Sequence, residues 1–177
     1  NGNKGITLGD NQYPRAIFSL WTEAERNAIN IYTITIDESK RKDEQWYINT
    51  DITYSFDGTN ATGSYGDSTA RAHADANATD DDGVDLDPVV VIEGLKTKLI
   101  RTVKEQAANE LAKTDWYITR KTEKNTAIPS AITTHRNLVR SRQAAMETSI
   151  TNASDTPALE TLYTYTKQDD GSVTRPL

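Results

Sequence analysis

At 177 residues the chain is long enough for one or two small domains with a real core. Its 36% hydrophobic content falls below the globular average and points to an elongated shape or to burial between subunits. Without cysteine there is no disulfide, thiolate or cysteine–zinc chemistry, and no apolar run or signal peptide marks a membrane or secretory route.

The net charge of −6 is unevenly spread. Residues 95–146 carry eleven Lys or Arg against four Asp or Glu, a net +7, which leaves −13 for the rest. A solvated basic face is the plainest reading, followed by docking against acidic segments of this or a neighbouring chain. No aromatic–basic interleave supports nucleic acid. The chain opens on Asn1 and stops at Leu177, and is expected to be a fragment or a trimmed piece of a longer protein.

Residues 1–14 are polar and glycine-rich and predict an extended arm ordered by a partner. Residues 15–65 predict a small α/β-meander domain. An apolar cluster, Ile17, Phe18, Leu20 and Trp21, precedes Thr22 and Glu25, whose spacing is a capping box that starts a short helix from Glu23 to about Ile29. Alternating apolar residues predict a strand over 31–36. A second spans 45–56 with Trp46, Ile48, Ile52, Tyr54 and Phe56 on offer, and after the Asp57-Gly58 turn a third returns over 61–65. Residues 66–87, rich in Ala, Asp, Thr and Gly, predict an acidic linker.

Residues 88–162 predict a helical hairpin domain. Asp87-Pro88 fits a helix start, although the β-branched run of Val89, Val90, Val91 and Ile92 equally fits a short strand, with the helix beginning after Gly94. Leu95, Leu99, Val103, Ala107 and Leu111 recur every fourth residue, with Ile100 and Ala108 beside them, which covers one side of a helix about 30 Å long. Thr114, Asp115, Trp116 and Tyr117 form a connector. A second helix starts near Ile128-Pro129-Ser130 and runs through Ile132, His135, Val139, Met146 and Ile150, with Arg142 inside the stripe. An antiparallel hairpin is the first reading and an intermolecular bundle the second. The run Ser154, Asp155, Thr156 and Pro157 opens a short helix through Leu159 and Leu162. Residues 163–177 predict a β-hairpin tail that can pair with another chain's sheet edge.

The fold class expected is therefore α+β: a small N-terminal antiparallel β meander with a short helix, then a C-terminal helical hairpin. Trp116 and Tyr117, followed by Arg120, Lys121 and Lys124, read first as an aromatic plug capping the hairpin and second as an exposed aromatic–basic docking spot. The candidate protein-interaction residues are Trp116, Tyr117, Arg120, Trp21, Tyr163 and Tyr165. Asp80, Asp81, Asp82, Asp85 and Asp87 invite a calcium reading, but Ala78 and Val89 occupy the first and twelfth loop positions and break the EF-hand pattern. His73 and His135 neighbour no serine-nucleophile motif, and no phosphate-cradling glycine loop is present. The matches at Asn60, Asn77 and Asn152 to the glycosylation sequon are read as chance. No catalytic residue, cofactor or metal is expected.

The run from Leu111 through Thr114-Asp115-Trp116 to Arg120, then Glu123, Ile128-Pro129, Ile132, Arg136 and Glu147, resembles a C-terminal segment of tail-fibre-assembly-like proteins of tailed bacteriophages. It is similar also to structural proteins of marine and cyanobacterial phages. In those a helix ends in Thr-Asp-Trp and Ile-Pro opens the next, which contains Tyr-Arg; here that pair is His135-Arg136. The run from Arg15 to Glu25, followed by Ile29, is similar to the opening segment of the same proteins. The resemblance implies a non-enzymatic structural protein of the virion, most naturally in the tail as fibre, fibre adaptor or baseplate periphery, made in the bacterial host cytoplasm. Implied partners are copies of itself in cyclic symmetry and other phage tail proteins, with host-surface contact if it sits at a fibre, and neither nucleic acid nor membrane. The alternatives are a tail-fibre assembly chaperone absent from the particle and a capsid decoration protein.

Overall fold

Local turn chemistry sets the first elements. In the computed structural model, which describes residues 5–174, Gly9 at φ +58° folds Ile6–Leu8 (β1) back on Asn11–Tyr13 (β2), with Ile6 opposite Tyr13. The arm expected over residues 1–14 is thus a hairpin from Ile6 onward, because a glycine that accepts positive φ lets a two-residue loop close it. Residues 1–4 of that arm lie outside the described residues. A single turn, Ile17–Leu20 (α1), buries Ile17, and Glu23–Asn27 (α2) follows. The capping box is present: Thr22 Oγ1 accepts from the Glu25 amide at 3.3 Å, and Glu25 Oε2 accepts from the Thr22 amide at 2.7 Å.

Four strands come next: Ile34–Asp37 (β3), Tyr47–Ile48 (β4), Thr53–Phe56 (β5) and Ala61–Ser64 (β6). The Asp57 carboxylate accepts from the amides of Thr59 and Asn60, Gly58 takes φ +97°, and β5 and β6 pair antiparallel across that turn. β6 lies in the middle, with β3 parallel to it on the other side, so the sheet order is β3-β6-β5 rather than that of a sequential meander. A Cβ on Gly63 would stand 2.8 Å from Ile36 Cδ1 and 2.9 Å from Ile52 Cγ2, so glycine at the centre lets both side chains close over it.

The strand expected over 45–56 is broken. Asn49 turns aside to clamp Lys42, accepting from its amide at 2.9 Å and donating to its carbonyl at 2.8 Å. Trp46 and Tyr47 belong to a different compact unit from the sheet. One unit comprises Asn1–Glu44 and Ile48–Thr69, the other Gln45–Tyr47 and Ala70–Leu177. Rings this large are buried where helices supply enough apolar surface to cover them.

In the second unit, which Thr69–Ala70 (β7) leads into, Ala76–Asn77 (β8) pairs antiparallel with Val91–Ile92 (β9). The Ala78 amide donates to the Val90 carbonyl at 2.7 Å, and Thr79 bridges to Asp85. The segment expected as a linker is therefore one arm of a long hairpin, because its backbone groups find partners across the turn. Asp87-Pro88 starts no helix. Leu95–Ala112 (α3) begins after Gly94, where a Cβ would come within 2.3 Å of the Ala74 carbonyl oxygen. Asp75 caps this start from a distance, accepting from the Gly94 amide at 2.8 Å and the Thr97 hydroxyl at 2.7 Å.

Three more helices, Asp115–Lys124 (α4), Ser130–Asn152 (α5) and Thr156–Tyr163 (α6), precede the antiparallel pair Thr166–Lys167 (β10) and Val173–Thr174 (β11). Lys96 Nζ donates to the Thr151 carbonyl at one end of the α3–α5 pair, and the His135 ring meets Glu110 at 3.2 Å at the other, so the two helices run antiparallel within one chain. Their apolar stripes, with Leu159 of α6, enclose Leu95, Val103 and Ile150 around Trp46 and Tyr47. Each such aliphatic side chain contributes about 1.5–3 kcal/mol when fully buried. The Tyr47 hydroxyl donates to Glu160 at 2.8 Å, and that bond, with burial, holds its pKa above the usual phenol value. Among the described residues no helix is long and apolar enough to cross a membrane.

Candidate functional site

The connector expected between the two long helices is a helix start. The Thr114 hydroxyl donates to the Leu111 carbonyl at 3.0 Å, which turns the chain, and α4 runs on to Asn125, which ends it in the left-handed conformation at φ +51°. Threonine favours such a turn, because its hydroxyl satisfies a carbonyl that the broken helix leaves open, while the Asp115 carboxylate stays free to pair with a cation.

Arg136 of α5 fixes this corner. It is 6% exposed, and its Nη1 donates to the Leu111 carbonyl at 2.8 Å and to Thr114 Oγ1 at 2.7 Å and pairs with the Asp115 carboxylate at 2.8 Å. A cation there meets the negative end of α3 and the acid in the first turn of α4 at once. Beside it, Glu110 takes Lys113 and His135 as partners. The hydrogen bond from Lys113, then its charge and that of His135, hold the Glu110 carboxyl below its usual range.

With the corner fixed, α4 stands as a ledge. The rings of Trp116 and Tyr117 lie 4.4 Å apart between centroids, and the Arg120 guanidinium sits 4.8 Å from the Trp116 ring and 5.8 Å from that of Tyr117. Successive helical residues step by about 100°, so Trp116, Arg120 and Lys124 form one row, with Tyr117 and Lys121 along its flank. Trp116 is 52% exposed, so it is no plug, while Tyr117 beside it is half-buried. Arg120 Nε is buried without a hydrogen-bond partner among the described residues. The ledge can hold apolar groups on its rings and anions on its cations.

The other expected contact residues serve elsewhere. Trp21 packs edge-to-face on Tyr13 in the N-terminal unit, at 5.9 Å, and its carbonyl accepts from Arg26. Tyr163 packs on Trp46 at 5.5 Å and belongs with the core of the helical unit, whereas Tyr165 is exposed ahead of β10. Of the six, Trp116, Tyr117 and Arg120 form one cluster.

Two features escaped the sequence reading. Arg136 lies on the row Ile132, Arg136, Val139, Gln143, Met146 and Ile150, whose alternating steps of four and three mark the inner face, so its burial was legible. The second is exposure in the β8–β9 hairpin: the strand alternative offered for residues 89–92 holds in β9, but Val84, Leu86, Val89, Val90, Val91 and Ile92 are all exposed. The signal was the β-branched run itself.

Two aspartates of that hairpin brace it, Asp80 through backbone amides and Asp85 through a side-chain amide. Asp80 accepts from the amides of Asp82 and Val84, at 3.0 and 2.9 Å, and Asp85 accepts from Asn77 at 2.6 Å. Among the described residues no group of three or more His, Cys, Asp or Glu is arranged to hold a metal ion. Between α3 and α5, Val103, Ala107, Val139 and Met146 line a shallow groove of about 150 Å³ with Glu110 and Arg142. Compared with protein-family models, curated proteins and solved structures, the chain has no match.

Proposed function

We propose that this chain is a non-enzymatic structural component of a tailed-phage virion, a tail part at a fibre, fibre adaptor or baseplate periphery that works through protein–protein contacts. Two things support this reading: the resemblance carried by residues 111–147 and 15–29, and the amount of apolar surface the folded chain leaves uncovered. The second is the observation that carries it. Ile34, Ile36, Tyr54 and Phe56 of the N-terminal sheet, the hairpin residues from Val84 to Ile92, and Trp116 of the ledge are all exposed. Scattered apolar residues are ordinary on a surface, but contiguous runs of them mark surfaces that a neighbour covers.

Mass spectrometry of washed, gradient-purified particles tests the reading. The protein is expected in them at the low copy number that cyclic tail parts require. Absence from washed particles would leave an assembly chaperone in its place, and a copy number rivalling the major capsid protein would leave a decoration protein.

A further inference from the structure

We propose that this chain docks head to tail on copies of itself: the acidic, apolar hairpin between β8 and β9 of one copy seats on the aromatic–basic face of α4 of the next. The inference rests on the structural-protein reading above and adds the surfaces that meet.

The hairpin provides one half. Residues 76–92 hold five aspartates and neither Lys nor Arg, so the whole excursion is anionic. Along it Val84 and Leu86 lie near the tip and residues 89–92 near the base, every one exposed, with Val84 at 61% and Val89 at 60%. The sheet has two strands, so among the described residues no third strand covers the outer edge of β9. Monomeric proteins blunt such edges with lysines or bulges. This edge carries β-branched side chains instead and presents them for docking.

α4 provides the other half. Trp116 offers a half-exposed ring, Arg120 lies over it, Lys124 and Glu123 line the same open pocket, and Lys121 stands on the flank beside Tyr117. Apolar groups flanked by acids thus meet a ring with three cations, Arg120, Lys121 and Lys124, and one acid, Glu123, around it. Both surfaces remain exposed with every other described residue in place, so neither covers the other within one chain, and closure comes from a second molecule. The same division runs through the sequence, with −13 outside residues 95–146 and +7 within them. Opposite fields of this kind steer encounter and fix orientation. Joined head to tail rather than reciprocally about a twofold axis, a pair of copies leaves one hairpin and one ledge unfilled, and growth continues until a ring closes.

Light scattering and sedimentation velocity of the 177-residue chain test this at about 0.05 and 0.5 M salt, between which the screening length falls from over ~10 Å to under ~5 Å. Species larger than a dimer are expected at low salt, dissociating at high salt. Asp81→Lys with Asp82→Lys on the hairpin, and Lys121→Glu with Lys124→Glu on the ledge, each weaken association by at least roughly tenfold. Circular dichroism melting confirms that both variants fold. Mixed in equal amounts they assemble again, because the lysine hairpin meets the glutamate ledge and the native hairpin meets the native ledge. A wild-type monomer at every concentration overturns the proposal, as do a dimer that grows no further and variants that fail to rescue each other. A monomer leaves the virion reading standing, since that is judged on particle composition; absence from particles leaves self-assembly standing.

Discussion

In the helical unit Ile150 and Leu159 are wholly removed from solvent and Val103 nearly so, while in the N-terminal unit Ile17 is the one large side chain so enclosed among the described residues. The N-terminal unit holds its shape by other means: the capping box at Thr22, the Asp57 turn, the clamp of Asn49 on Lys42, and the Tyr13–Trp21 ring pair. Each of these contributes on the order of 1 kcal/mol. The lesson is one of distribution. A unit built on burial fails when one central side chain is cut back, whereas a unit built on caps and turns loses a little at each of many places.

The largest effect expected from that contrast is Ile150→Ala, which should destabilise the helical unit by about 4 kcal/mol in urea denaturation. A loss under about 1 kcal/mol would show that Ile150 is not central to the core. Gly94→Ala comes next, at about 2–3 kcal/mol, because the new methyl meets the fixed backbone of Ala74 rather than a side chain that can swing away. Arg136→Met should cost about 2 kcal/mol by leaving the Leu111 carbonyl and Thr114 short of a partner. It should also loosen α4, seen as faster amide exchange at residues 115–124, and unchanged exchange there would detach the ledge from its staple.

In the N-terminal unit Thr22→Ala should cost about 1 kcal/mol, and a drop as large as that of Ile150→Ala would erase the contrast. Smallest is a pH effect at Asp75. Its carboxyl is held below the usual range by the Gly94 amide, then the Thr97 hydroxyl. The folded pKa lies below the unfolded one, so the stabilisation is complete above the unfolded carboxylate pKa and is lost as pH falls through the folded value. Melting curves of wild type and Asp75→Asn should therefore differ at neutral pH and converge in acid. A gap that stays constant across the range would exclude an ionised cap.

What was legible in the sequence follows the same division. Signals acting over three or four residues were read correctly: the Thr22–Glu25 box, the Asp57-Gly58 turn, the cap at Asp155 with Pro157 behind it, and the stripe of α3. Features that depend on distant partners were not. Whether β3 pairs parallel with β6 is decided by a partner 27 positions along, Ile34 against Ala61, and alternation within a strand carries no such information. Residues 66–87 looked like a linker because their apolar partners come later, at 89–92. At the ledge, composition identified Trp116, Tyr117 and Arg120, but whether they faced inward or outward depended on the burial of Arg136, a residue whose charge disguised its place on the inner row.

Trp46 and Tyr47 enter the helical unit from a three-residue stretch, Gln45–Tyr47, bounded on both sides by the N-terminal unit. Neither unit is therefore a continuous piece of polypeptide, and no single scission liberates one intact. A recombinant 70–177 would lack two rings at the centre of its interior and be left with a void. A recombinant 1–69 would carry those rings with nothing to pack against and would be prone to precipitate. A cut on either side of the Gln45–Tyr47 stretch thus meets the same obstacle, and the two parts are best produced together.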